Sequence, residues 1–183
     1  MAKGLAGARS MVIMGARGPL AAIRRRNPTD IMTTDFQPLD DAFAQRVRDS
    51  FDKQGIMRHI GARLGEVRPG YCEIELPYSD AVSQQHGFFH GGVVGTIADS
   101  AGGFAAYSLM GAGDGVLTVE YKLNLMAPAD GDELIARGYV VRPGKTLTVS
   151  RAEVVVVKNG HALPCAALQQ TLMRVQGRAD VIG

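Results

Sequence analysis

Tryptophan is absent from this 183-residue chain, and cysteine occurs only at Cys72 and Cys165. Two cysteines make neither a disulfide framework nor a zinc-type ligand set. Both lie in strand-like runs, where small core-packed thiols fit a reducing, cytoplasmic setting. His, Cys and acidic residues nowhere recur at metal-ligand spacing, so no metal is expected. No stretch approaches the ~20 apolar residues of a membrane span. Acidic residues are missing from positions 1–29, which hold Lys3, Arg9, Arg17, Arg24, Arg25 and Arg26. The rest of the chain has fourteen cations against eighteen acids, so the net charge of +2 belongs to the N-terminal stretch. The remainder is mildly acidic and offers no basic face for nucleic acid. The N-terminal stretch has the composition of a targeting peptide, but Gly15, Gly18 and Pro19 break its apolar run. A disordered leader, or a true start at Met32, reads equally well. Residues 1–30 are therefore set apart as a basic, disordered leader, and 31–183 as a single domain long enough to bury a core.

A second absence is more informative. The segment Val93–Met110 contains no Lys, no Arg and one acid, Asp99. A carboxylate among apolar and tiny residues has no charge partner on its own element. Its burial disfavours the anion and raises its pKa, which makes Asp99 a candidate general base. Eight residues earlier lies Gly91, within His86-Gly87-Phe88-Phe89-His90-Gly91-Gly92. A glycine at a helix start offers a free N–H and the positive end of the helix dipole, suited to a developing oxyanion.

Periodicity supplies the frame. Asp40–Gln54 reads as an amphipathic helix with Phe43, Val47 and Phe51 on one face, Asp40 or Asp41 as cap and Gly55 as stop. Ile60–Val67 and Tyr71–Leu76 read as a strand pair turned by Arg68-Pro69-Gly70. Pro77–Gln85 is a loop. His90–Met110 is the longest helical run, with Val94, Ile97, Ala101, Phe104, Ala105 and Leu109 at helical spacing. Its interior glycines each cost about 1 kcal/mol against Ala, which makes sense if another backbone comes very close. Four strands follow, Val116–Met126, Glu133–Arg142, Thr146–Val157 and His161–Val175. The last two are joined by Asn159-Gly160, a strong hairpin signal. With no helix between them, these four are expected to form an antiparallel meander. The class is α+β, an antiparallel sheet wrapped around one long central helix.

His90-Gly91-Gly92, Asp99 in the following helix, and a long strand ended by Pro128 together resemble the hotdog-fold acyl-CoA thioesterases of the phenylacetate-pathway type. The resemblance covers roughly residues 51–173. It implies that the Gly91 amide polarises the thioester carbonyl and that Asp99 acts on it, as base toward a water or as nucleophile. His90 would buttress the Gly91-Gly92 loop, and Thr118 would help hold the water. Gln84 stands where the family commonly has an Asn, six residues before the His. Phe88 and Phe89 are core residues or acyl-tunnel lining. The turn containing Gly144 and Lys145 is a solvated hairpin or lies near the phosphates of coenzyme A. No cofactor is implied, since coenzyme A is part of the substrate. His59, His86 and His161 read as loop or strand-end residues.

Geometry adds a constraint. Gly91 and Asp99 are about 12 Å apart along a helix rising 1.5 Å per residue, so one carbonyl cannot touch both within one chain. Two antiparallel central helices, each giving its Gly to the other's Asp, solve this. The expectation is a homodimer with composite sites, with a dimer of dimers as the larger assembly, and no nucleic-acid or membrane partner. Two other readings stay open. A hotdog hydratase or dehydratase pairs a His with an acid, and His86 with Asp99 has that kind of spacing. A non-catalytic acyl-CoA sensor would bind thioester without turnover.

Overall fold

The computed structural model describes residues 35–181; the basic leader expected over 1–30 lies outside the described residues. The first helix, α1 (Phe43–Lys53), starts later than its apolar pattern suggests. Asp40 is not its N-cap. Its carboxylate accepts from the Ala42 N–H at 3.0 Å and from Arg46 at 2.8 Å. Gly55 does not end the helical stretch. The chain bends at Gln54, and a second short helix, α2 (Gly55–Ile60), follows. The left-handed stop is Gly61, with φ 77°. Val47 and Phe51 turn inward, and the Phe51 ring sits 6.0 Å from that of Phe104. Arg46 donates to the Met110 carbonyl at 2.6 Å and lies over the Tyr107 ring at 4.5 Å. A cation is thereby placed at the carboxyl end of the central helical segment, where carbonyls lack partners.

Six strands form one antiparallel sheet: β1 (Arg63–Arg68), β2 (Tyr71–Pro77), β3 (Gly115–Leu125), β4 (Glu133–Arg142), β5 (Leu147–Lys158) and β6 (His161–Val175). Their order is β1-β2-β4-β5-β6-β3. The expected four-strand meander is thus corrected. β4, β5 and β6 follow one another as hairpins, but β3 pairs with β6 at the far edge, and β4 pairs with β2. The physical reason lies in the connections. Asn159 (φ 51°) and Gly160 (φ 77°) both occupy the left-handed region that a two-residue hairpin needs. No such turn joins β3 to β4. The intervening segment is drawn off toward β6, with Met126 N–H donating to the Cys165 carbonyl at 2.8 Å.

The central helix, α3 (Gly91–Tyr107), lies across the sheet and touches β2 through β6. Its own Ile97, Ala98, Ala101, Phe104 and Ala105 are buried. The close backbone approach that its glycines suggest occurs, and a strand glycine permits it. A Cβ at Gly138 in β4 would lie 2.2 Å from the Ala101 carbonyl carbon and oxygen. Among the described residues, no helix is long and apolar enough to cross a membrane.

Candidate functional site

The start of α3 is fixed by local hydrogen bonding. His90 is its N-cap, and its Nδ1 accepts the Gly92 N–H at 2.9 Å. The His90 N–H in turn donates to the Val82 carbonyl at 2.9 Å. Gly92's amide is therefore engaged by His90. The Gly91 N–H has no hydrogen-bond partner among the described residues and points out of the first turn of the helix. Upstream, Gln84 donates its N–H to the Phe88 carbonyl at 2.8 Å, and its side-chain oxygen accepts the His86 N–H. Gly87, with φ 78°, allows this tight loop. Gln84, Phe88, Phe89 and Gly91 line an open pocket of about 440 Å³ together with Leu125 and Cys165. Phe89 is both core and lining, buried and edge-on to Tyr78 at 5.3 Å, whereas Phe88 is half-buried.

Asp99 lies two turns along α3. It is half-buried, and its Oδ1 accepts the Thr118 hydroxyl at 2.8 Å. No cation among the described residues pairs with it. Burial pushes its carboxyl above the ordinary value of 3.8, and the Thr118 hydrogen bond opposes that shift without cancelling it. The carboxylate is a stronger base than an exposed aspartate and keeps lone pairs free for a proton.

A β-bulge brings Thr118 to Asp99. Thr118 pairs with Leu172 and Glu120 with Thr171, so Val119 is an extra residue in β3. Strict alternation would put Thr118 on the same face as Glu120 and Lys122. The inserted residue instead aims Thr118, Tyr121, Leu123 and Leu125 all toward α3. The helix glycines follow this row. A Cβ at Gly91 would meet Leu125 Cδ1 at 2.8 Å, and one at Gly95 would meet Leu123 Cδ2 at 3.2 Å.

Two groups of residues thus stand apart in one chain. Gly91, His90, Gln84, Phe88 and Phe89 gather at one end of α3. Asp99 and Thr118 meet farther along it. Gly144 and Lys145 lie exposed in the β4–β5 turn, away from the pocket. That turn belongs to the Asp99 end of the sheet, because Thr146 O accepts from Arg174 N–H and Arg174 is the register partner of Val116. Sequence reasoning missed Leu125, Met126 and Cys165 as lining.

Comparison with known proteins agrees with the geometry. Residues 86–162 match the family model described as the thioesterase superfamily. A thioesterase family protein from Silicibacter pomeroyi is 46% identical with a TM-score of 0.73, over 74% of this chain and 99% of that one. A Halobacterium salinarum protein, named provisionally as an esterase, is 31% identical over 121 residues, covering 63% of this chain and 79% of the relative. The PaaI protein of the Escherichia coli phenylacetic acid degradation operon has a TM-score of 0.67 at 21% identity, over 76% of this chain and 97% of that one, a likeness of fold. The sheet with α3 across it is the hotdog architecture of these thioesterases.

Proposed function

The chain belongs to the thioesterase superfamily, and from that premise we propose that it hydrolyses acyl-CoA thioesters to a free acid and coenzyme A. The observation that carries this reading is a half-buried Asp99 whose carboxylate meets only the Thr118 hydroxyl among the described residues. In the reaction, Asp99 takes a proton from a water while the water oxygen bonds to the thioester carbonyl carbon. The carbonyl oxygen becomes an oxyanion held by the Gly91 N–H at the positive end of α3. Collapse of the tetrahedral intermediate breaks the C–S bond, and the proton held by Asp99 passes to the leaving sulfur. Thr118 fixes the carboxylate, and His90 fixes the first turn of α3. The Gln84 side chain and the Phe88 and Phe89 rings bound the space beside the reacting carbonyl. Gly144 and Lys145, in the exposed β4–β5 turn, would meet the nucleotide phosphates. The chemistry needs neither metal nor cofactor.

Gly91 and Asp99 serve the same carbonyl only if they come from two subunits. The edge strand β3 supports such an assembly, because Leu117, Val119, Tyr121 and Leu125 are exposed along it, a liability on an unpaired edge. The active unit is a homodimer with two composite sites, and larger assemblies are dimers of it.

The deciding experiment measures CoA-thiol release from C2–C16 and aryl acyl-CoAs by wild type and Asp99→Asn. A general base is typically worth about 100- to 10,000-fold, so the variant should lose at least 100-fold in kcat. Wild-type turnover in the variant would overturn Asp99 as the base. Hydration of crotonyl-CoA, or tight binding without turnover, would point instead to the hydratase or sensor reading.

A further inference from the structure

Beneath the turn of α3 that bears Asp99 lies a buried polar pair that the reaction does not touch. Ser150 and Gln170 are register partners on β5 and β6 and are both fully buried. Burying a hydroxyl and an amide is unfavourable unless their hydrogen bonds are replaced. Here the replacement is incomplete, since Gln170 Oε1 and Ser150 Oγ have no hydrogen-bond partner among the described residues. Among the described residues, the one side-chain bond of Gln170 runs from its Nε2 to the backbone carbonyl of Asp99, at 3.1 Å.

Three features converge on this turn. Gly102 has no Cβ, and one built there would lie 2.4 Å from Gln170 Nε2 and 2.9 Å from Ser150 Oγ. Gly138 lets the Ala101–Gly102 backbone rest on β4. Gln170 then holds the seated turn by the carbonyl of the residue whose side chain is the base. Thr118, from the opposite strand of the β6–β3 pair, holds the carboxylate of the same residue. Asp99 is gripped at its backbone from β6 and at its side chain from β3.

Resting on the reading of Asp99 as the base, we infer that Gln170 is a positioning residue. Through its bond to the Asp99 carbonyl it sets the height and rotation of the turn that aims the carboxylate. Gln170 touches neither substrate nor water, so its effect passes entirely through Asp99.

The test is a double-mutant cycle with Asp99→Asn, assayed by CoA-thiol release on the best acyl-CoA of the C2–C16 and aryl series. Gln170→Leu removes the donor and leaves an apolar side chain one bond shorter. Misplacing a reacting group by about 1 Å costs up to about 100-fold, so kcat should fall by about 10- to 100-fold with KM within about twofold. In the Asp99→Asn background the same substitution should change the residual rate by less than about twofold, because the group it positions is gone. Gly102→Ala, whose methyl would displace the amide, should show the same loss and the same dependence on Asp99. It serves as the test if Gln170→Leu does not fold. An equal loss in both backgrounds would reduce Gln170 to a structural role and overturn the inference. So would wild-type kcat in Gln170→Leu while Asp99→Asn is inactive, and that outcome leaves Asp99 standing as the base. Wild-type turnover in Asp99→Asn would remove the reading on which the inference rests.

Discussion

Gly138→Ala tests the seating of α3 on the sheet. Its added methyl would lie 2.2 Å from the Ala101 carbonyl carbon and oxygen and 2.5 Å from Gly102 N. Ordinary contact begins near 3.4 Å, so strand and helix must separate by about 1 Å. Both neighbours are backbone in regular structure and cannot swing aside as a flexible side chain does. Overpacking of this kind costs about 1–3 kcal/mol, and the rigidity on both sides places this site at the upper end. At about 2–4 °C per kcal/mol for a domain of this size, Tm should fall by about 6–12 °C. The displaced turn is also the one that carries Asp99, so kcat for thioester hydrolysis should drop by about 10- to 100-fold. Gly103→Ala is the control of opposite sign. Its nearest foreign atom is Leu172 Cδ2 at 4.0 Å, so the substitution should stabilise by about 0.5–1 kcal/mol through helix propensity alone. The assay is thermal unfolding by circular dichroism alongside turnover. Equal Tm shifts in the two variants, or an unchanged Tm in Gly138→Ala, would refute the close approach of α3 to β4.

Two further predictions concern charge. The Asp99 carboxyl is raised above 3.8 by burial, so the fold binds its proton more tightly than the unfolded chain does, and the ionised group lowers stability at neutral pH. Asp99→Asn should therefore have the higher Tm at pH 7.5, with the gap closing as pH falls through the folded pKa toward 3.8; a gap independent of pH would contradict this. Arg46→Met removes the charged hydrogen bond to the Met110 carbonyl. It should cost about 2 kcal/mol and expose α1 to proteolysis before the sheet, which limited digestion and denaturant titration would reveal.

Much of this architecture is legible in the sequence, and the parts that are not share a cause. β4 and β6 begin and end where alternation meets turn residues, because both limits are local. The Asn159-Gly160 hairpin is local too. The place of β3 is not. Nothing within Gly115–Leu125 states that its neighbour lies some fifty residues downstream rather than in the next strand. The bulge at Val119 is equally silent, because Leu117, Val119, Tyr121, Leu123 and Leu125 alternate without a break across the residue at which the register shifts. Helix α2 is too short to show a period. The glycines of α3 announce a close approach, but which partner they admit is written in Gly138 and Gln170, and Gln170 reads in sequence as an ordinary polar strand residue. Asp99 stood out because charge is absent around it. Thr118 was found through the family resemblance, and its hydrogen bond to Asp99 depends on the bulge.

The position of β6 between β5 and β3 has a consequence for synthesis of the protein. A ribosome releases β3 well before it has made β6, the strand that pairs with it. At about 5–20 residues per second, the interval from the end of β3 to the end of β6 lasts about 3–10 s. Throughout it, the edge strand β3 waits without its partner, and α3 waits without the part of its cover that β6 supplies. The hairpins β4–β5 and β5–β6 can form as they emerge, but closure of the sheet waits for residues 161–175. A nascent chain stalled before that point presents both surfaces to chaperones or to its neighbours on the polysome, and the last strand made is the one that ends the exposure.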